Sequence, residues 1–420
     1  MVRAVRQLRK PTDFIVQKFP AIRYGLRHRR KIIEFSEHLE EERDAHHFDQ
    51  QPFYPVDIGA TLHSRYKVIG KVGYGMNGTV WLCRDTSTPE NHFVVVKVGR
   101  CNSPQSDRES LFYSTMNSDR TMHPGRHLIR TMLDNFTLVL PNGRYGALVH
   151  PPLSISLGDL RKTFPYRQVP LSTLQPILRD ILLALDFIHN RDVVHTDINE
   201  GNVLFKLHSN KPLETFELQE YYRPTAQKFL INLTVYGSRK LPAEKILGAA
   251  VLTDFGLAQR GQQNTLMNVQ PKNYRCPEAL FHIPWDCKID VWNVGTLTYW
   301  LLANNNLFLA KRPPTDEYDS LIHAISIADT IGVPPDDFIA KRGSERMGDE
   351  WNLSDYVVER WRPLDEQLGL ANVQRPQKQQ VVEFLQGCLQ WRPEDRATAA
   401  ELLQGRLLGQ KEPMRSDARA

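Results

Sequence analysis

Asp197 and Asn202 stand five positions apart in the run VVHTDINEGNVLF, directly after a strongly apolar stretch. A loop built this way can hold a carboxylate against a hydroxyl, ready to take its proton, while the amide reaches a metal ion. The same residues also suit a polar turn between a helix and a strand, so their meaning depends on partners. Three lie elsewhere in the chain. Gly73-x-Gly75-x-x-Gly78-x-Val80 and Lys97 precede the run, and Asp254-Phe255-Gly256 follows it. That is the order phosphoryl transfer needs: a phosphate cover, a cation, a base and a metal ligand.

Each part has its own physical reason. Glycines let backbone N–H groups approach anionic oxygens without interference from a Cβ, and Val80 is placed to cap a purine ring. A lone glycine pattern is weak. Lys97 adds weight, because a lysine buried on one face of the β-branched strand HFVVVKVGR needs an anionic partner; the alternative is an edge-strand lysine facing water. The helix-compatible segment SDRESLFYSTMN offers Glu109 as that partner, with Asp107 as the alternative, and the pair would hold Lys97 on the α- and β-phosphates. Asp254 would chelate a Mg²⁺ bridging the β- and γ-phosphates, with Asn202 as the second ligand point.

The elements that must position these groups follow from pattern. PFYPVDIGATLHSRYKVIGKVGYGMNGTVWLCRD alternates apolar and polar residues around glycines, as a hairpin of strands does. Residues 123–149 predict two more strands around a Pro-Asn-Gly turn. Ser172 to Gln175 resembles a capping box opening a helix. Its buried face is Leu174, Ile177, Leu178, Ile181, Leu182, Leu185 and Ile188, and it aims the Asp197 loop. Between Leu204 and Val251 no clean period appears, which predicts an irregular insert at about 206–250. AVLTDFGLAQ is a strand running into Asp254. Thr265 is the one hydroxyl-bearing residue between Gly256 and Tyr274. WDCKIDVWNVGTLTYWLLA reads as a second buried helix opening with Asp290. Glu278 and Arg396 are either a buried pair or, for Arg396, a surface arginine at a helix start.

With 420 residues, 41% of them hydrophobic and 24% charged, the chain describes a globular protein with two or three cores. No apolar run approaches the roughly 18 residues of a membrane span. Five scattered cysteines lack metal-ligand spacing and fit a reducing compartment. Of the net charge of +5, residues 1–31 carry +9 and the rest −4. This basic arm reads as a solvated tail, an anion- or nucleic-acid-binding segment, or a mitochondrial presequence.

Together the motifs GYGMNGTV, VVVK, a helix glutamate, HTDINEGN, DFG, CPE, DVWNVG and DRA resemble a eukaryotic protein-kinase domain over residues 55–405. The resemblance implies an α+β, bilobal protein-kinase fold. A small β-rich N-lobe would span about 55–153 and a larger α-helical C-lobe about 154–410, after a basic arm and charged linker at 1–54 and before a tail at 411–420. ATP with Mg²⁺ would bind between the lobes. Asp197 would orient the substrate hydroxyl and accept its proton. Lys97 would hold phosphates, Asn202 and Asp254 the metal, and the Leu153 N–H would meet the adenine beside His150. The threonine between His195 and Asp197, the YPV entry, QPKNYRCPEAL and PWDCKIDVWNVG are similar to the SR-protein-kinase (SRPK-like) family. HPG, PNG and the insert resemble its fungal branch. That family phosphorylates serines in Arg/Ser-rich splicing factors, docked on an acidic groove; here Asp316, Glu317, Asp319, Asp336 and Asp337 are the candidates. A monomer acting on proteins in cytoplasm and nucleus is expected, with no nucleic-acid binding by the kinase domain and no membrane. A presequence would instead mean a mitochondrion.

Departures from the family keep other readings open. Asn199 stands where such kinases place a lysine near the γ-phosphate, Val95 replaces a small alanine over the adenine, and Pro151-Pro152 removes two hinge N–H donors. A pseudokinase scaffold is therefore the first alternative. A small-molecule phosphotransferase is the second, since HTDINEGNVLF also resembles the loop of aminoglycoside and choline kinases. Thr196 replaces the arginine that would pair with a phosphorylated loop, which implies constitutive activity.

Overall fold

Short runs of β-branched and aromatic residues between Thr61 and His150 pair into one antiparallel sheet. Its strands are β1 (Thr61–Leu62), β2 (Tyr66–Gly75), β3 (Gly78–Asp85), β4 (Phe93–Cys101), β5 (Asp134–Leu140) and β6 (Gly143–His150), in the order β1-β2-β3-β4-β6-β5. The computed structural model describes residues 53–409 apart from 91, 231–232, 245, 262–268, 313 and 342–372. The basic arm, the linker up to residue 52, Thr265 and the tail from 410 lie outside the described residues.

Side chains alternate across a strand, and β4 uses both faces. Val94, Val96 and Val98 join Trp81 and Tyr145 in one core, while Val95 joins Leu82 and Phe93 on the other, cleft-facing side. Lys97 shares the parity of Val95 and so faces the cleft. Helix α1 (Pro104–Ser118) crosses between sheet and larger lobe with Glu109, Phe112, Tyr113 and Met116 buried. Residues 124–128 form a 3-10 turn instead of the start of a strand. The turn is pressed onto a helix: a Cβ on Gly125 would lie 1.8 Å from the Leu183 carbonyl oxygen. Strand pairing begins at Asp134.

In the larger lobe α2 (Leu157–Arg161) precedes α3 (Leu171–His189), whose apolar stripe is fully buried. The expected capping box is absent. Thr173 N and Leu174 N already donate to the Pro170 carbonyl at 3.0 Å, so the helix has begun before Ser172 and takes no side-chain cap. Four short strands follow the chain through the site region and the insert: β7 (Val193–Val194), β8 (Val203–Phe205), β9 (Gln227–Leu230) and β10 (Leu233–Tyr236). Strand β11 (Ala250–Leu252) pairs with β8, and β12 (Gln259–Arg260) with β7. The insert is thus more regular than its sequence predicts. It holds α4 (Lys211–Tyr222) and the β9–β10 hairpin, and α4 turns Leu213 and Phe216 onto the sheet. Further on come α5 (Pro277–Leu280) and α6 (Lys288–Ala303), the latter buried almost all round as a central helix must be. The α+β architecture with a β-rich small lobe and a helical large lobe is the one expected.

Candidate active site

The end of β2 and the start of β3 carry Gly73, Gly75 and Gly78 over a cleft of about 350 Å³ between the two lobes. Val80 and Lys97 line it from the sheet, and Glu109 from α1. Leu153, Asn202 and Asp254 line it from the segments below. A larger cavity of about 690 Å³ lies between Phe164, Pro176 and Leu247, away from all these groups. It is the smaller cleft that gathers the chemistry.

Lys97 Nζ sits 2.8 Å from Glu109 Oε2 and 2.9 Å from Asp254 Oδ1. The helical phase decides the partner: Glu109 lies on the buried face of α1, whereas Asp107 is exposed. Burial pushes the Lys97 ammonium down, but the Asp254 and Glu109 carboxylates outweigh it and hold it above the usual lysine range. Burial tends to raise Asp254 as well, and there Lys97 wins, keeping the carboxyl below its ordinary value. At Glu109 burial dominates and raises the carboxyl. Arg130 is the second cation near these carboxylates, and its charge also pulls Glu109 downward against burial.

Asp197 is held from both sides. Asn202 Nδ2 donates to its Oδ2 at 2.7 Å and Asn199 Nδ2 to its Oδ1 at 3.0 Å. Burial raises this carboxyl above the ordinary aspartate range, against the pull of His195 and the Asn202 amide. Because Asn202 donates through nitrogen, its amide oxygen is left as the donor atom a metal requires. Among the described residues no cluster of three or more His, Cys, Asp or Glu could hold a metal by itself. Asn202 and Asp254 are enough when phosphate oxygens and water complete the shell, which is how Mg²⁺ is usually held.

Asp290, read from sequence only as the start of a helix, positions this loop. Its carboxylate accepts from His195 N and Thr196 N, both at 2.8 Å, and meets His189 Nε2 at 2.9 Å, with no solvent exposure. Thr196 at φ 72° and Asp254 at φ 62° are left-handed, a backbone that costs a non-glycine residue about 1–3 kcal/mol unless its surroundings impose it. For Thr196 the Asp290 carboxylate does so. Thr196 Oγ1 donates to the Leu257 carbonyl at 3.0 Å, tying the loop to the segment beyond Asp254. His195 Nε2 meets the Thr253 carbonyl at 3.0 Å while Nδ1 accepts from Asp197 N at 3.2 Å. Phe255 is wedged between His195 and α1, 4.7 Å from the His195 ring and 3.9 Å from Phe112, which turns Asp254 toward Lys97.

Other expected residues resolve individually. Glu278 and Arg396 form a fully buried pair, at 2.7 and 2.6 Å, so Arg396 is not a surface arginine. His150 is buried, its Nδ1 is 2.8 Å from the Thr131 carbonyl, and burial first, then Arg130, keep it neutral. Val95 is buried under the insert and lines the cleft. Three of the five acidic candidates have basic partners: Asp316 pairs with Lys311 at 2.6 Å, Asp337 with Arg392, and Asp319 with Arg312. Asp319 also caps the following helix, accepting from Leu321 N and Ile322 N. Sequence reading passed over Arg130, Asp159, Lys240 and Leu241, all of which line the cleft. No local pattern marks them, because tertiary packing alone brings them there.

The protein kinase domain family model matches residues 66–408. A protein of Aspergillus fumigatus named a serine/threonine protein kinase is 32% identical over 89% of this chain and 91% of its own length. The serine/threonine-protein kinase SRPK of Physarum polycephalum is 24% identical over 87% of the chain and 90% of its own. A crystallised kinase domain superposes with a TM-score of 0.61 at 19% identity, covering 85% of this chain and 98% of that one.

Proposed function

We propose that this chain, which belongs to the protein kinase family and is a serine/threonine protein kinase, phosphorylates serines in Arg/Ser-rich proteins of the splicing-factor type. The single observation behind catalysis is the Asp197 carboxylate, oriented by two amides beside the Lys97–Asp254 pair. The substrate class rests on similarity to the Physarum polycephalum kinase named SRPK, and on the motifs that resemble that family.

Asp197 orients the serine hydroxyl and accepts its proton as the oxygen attacks the γ-phosphorus of ATP. The new O–P bond forms, the bond to the β-phosphate oxygen breaks, and ADP departs. Lys97 holds the non-transferring phosphates, and the backbone of Gly73 to Gly78 covers them. When bound, Mg²⁺ supplies positive charge to the phosphates; Asn202 and Asp254 are the residues that would hold it. Most of the catalysis is positioning and fixed charge, since the protein forms no covalent bond to the phosphoryl group. Transfer of γ-phosphate to an Arg/Ser-repeat peptide, and not to a matched peptide without arginine, tests the reading.

A scaffold that binds nucleotide without transferring phosphate is favoured by Asn199, which places a neutral amide on Asp197 where the family has a cation. Nucleotide binding with no transfer to either peptide would select it, and Asn199→Lys would be the first change to restore.

Asp197 must be ionised to take a proton, so activity falls as pH drops through its raised value. The acid limb of kcat/KM is expected above the roughly 3.9 of a free aspartate. A limb at or below that value would remove burial of Asp197 from the account. Thr196 is engaged with Leu257, and no arginine stands there to receive a phosphate. Thr265→Ala is therefore expected to retain its rate to within a few-fold, and an order-of-magnitude loss would refute loop-independent activity.

A further inference from the structure

The cleft has a wall that the family motifs do not supply. The insert between β8 and β11 lays α4 against the cleft-facing side of the sheet and returns past the cleft mouth. Its hold on the sheet is buried. Leu213 and Phe216 pack with Leu82, Phe93 and Val95. A Cβ on Gly70 would lie 2.8 Å from the Phe216 ring, so a larger residue there would push α4 away. Lys71 Nζ donates to the Tyr236 carbonyl at 3.1 Å, and Arg239 N donates to the Lys71 carbonyl at 2.9 Å. Both Gly70 and Lys71 belong to the strand that leads into the phosphate cover, so the insert grips that strand directly.

The two residues after Arg239 enter the cleft. Leu241 packs against the buried cluster of Leu82, Phe93, Val95, Leu213 and Phe216, as Val72 and Val80 do. Lys240 crosses to the other lobe, with Nζ 3.1 Å from Asp159 Oδ2. Asp159 is itself fixed: Ser156 Oγ donates to Oδ2 at 3.0 Å, and Lys162 meets Oδ1 at 3.2 Å. The lining is graded. Val80, Val95, Leu153, Leu204 and Leu241 make an apolar end suited to a base, Lys97, Asn202 and Asp254 an ionic end suited to phosphates, and Asp159 a polar group at the mouth.

We propose that Lys240 and Leu241 are nucleotide-site residues furnished by the insert. Leu241 completes the apolar wall over base and sugar, and the Lys240–Asp159 pair closes the mouth on the sugar side, excluding nucleotides enlarged at the 2′ and 3′ oxygens. Lys240 is largely exposed, so the pair is weak enough to open for entry and exit. The proposal rests on reading the cleft as the ATP site.

The test is the affinity of the full chain for ATP and for its 2′,3′-O-(N-methylanthraniloyl) derivative, each with Mg²⁺. Wild type is compared with Lys240→Ala, Leu241→Ala and Glu214→Ala, the last an exposed change on α4 away from the cleft. Leu241→Ala is expected to weaken ATP about five- to tenfold through lost apolar contact. Wild type is expected to bind the derivative more weakly than ATP, and equal affinity for the two would overturn the proposed closure. Lys240→Ala should keep ATP affinity within about threefold, as an exposed pair implies, yet abolish that discrimination. Glu214→Ala should change neither, and unchanged melting temperatures would show that the insert stays docked. Unaltered ATP affinity in Leu241→Ala with unaltered discrimination in Lys240→Ala overturns the proposal. Wild type that fails to bind ATP overturns instead the reading on which it rests.

Discussion

Asp197→Asn is expected to lower kcat for peptide phosphorylation by about 10²–10⁴-fold, the usual contribution of a positioned general base, with ATP affinity within a few-fold of wild type. The geometry separates the two effects. Asp197 touches Asn199 and Asn202, whereas the cation that would meet the phosphates, Lys97, is anchored by Glu109 and Asp254. Asparagine keeps the shape but offers one acceptor oxygen where two amide donors now converge, so one of the two amides keeps only its bond to the Asp197 backbone carbonyl. Asp197→Ala avoids that mismatch by opening space for water and should be similarly inactive. Steady-state rates with the Arg/Ser peptide, alongside calorimetric ATP binding, check both variants. A variant retaining more than about a tenth of wild-type kcat would remove Asp197 from the role of base. Loss of ATP binding in both would mean that the loop, and not the proton transfer, had been damaged.

What was legible in the chain was whatever is encoded within a few residues. The strand parity that turns Lys97 to the cleft, the 3.6-residue stripe of α3 and the Asp197–Asn202 spacing are all local, and the structure gathers them where the order of motifs requires. Choosing between Glu109 and Asp107 needed the phase of α1 against the sheet, which the low apolar contrast of SDRESLFYSTMN does not reveal. The false capping box at Ser172 shows a competing rule winning, because Pro170 had already begun the turn. Asp290 and Lys240 were hidden for another reason. Asp290 binds backbone amides 94 and 95 positions away, and Lys240 meets Asp159 across the cleft mouth. Partners so distant leave no periodic trace. The insert escaped because α4 commits only two large apolar side chains, Leu213 and Phe216, to the sheet, too sparse a stripe to register as a helix.

Arg396→Met is expected to destabilise the larger lobe by about 3–5 kcal/mol, the range for breaking one half of a buried ion pair. Glu278 would be left charged, shut off from water and with only the weakly donating Cys276 thiol beside it, since both side chains of the pair have no exposed surface. The guanidinium also donates to the carbonyls of Gln390 at 2.9 Å, Lys288 at 3.3 Å and Trp391 at 3.4 Å and lies 5.0 Å above the Trp292 ring, so all these attachments go at once. Through them Arg396 joins the segment before the helix Ala399–Gln404 to α5 and the buried α6. The pair itself is a different matter from its halves. Desolvating two charges offsets most of their attraction, so Glu278→Leu combined with Arg396→Met should recover much of the loss. Thermal denaturation of the two single variants and the double gives the coupling directly. A double variant as unstable as the sum of the singles would mean that the arginine acts mainly through its carbonyl contacts. Near-complete recovery would place its contribution in neutralising Glu278, beneath the end of the segment that begins at Asp254.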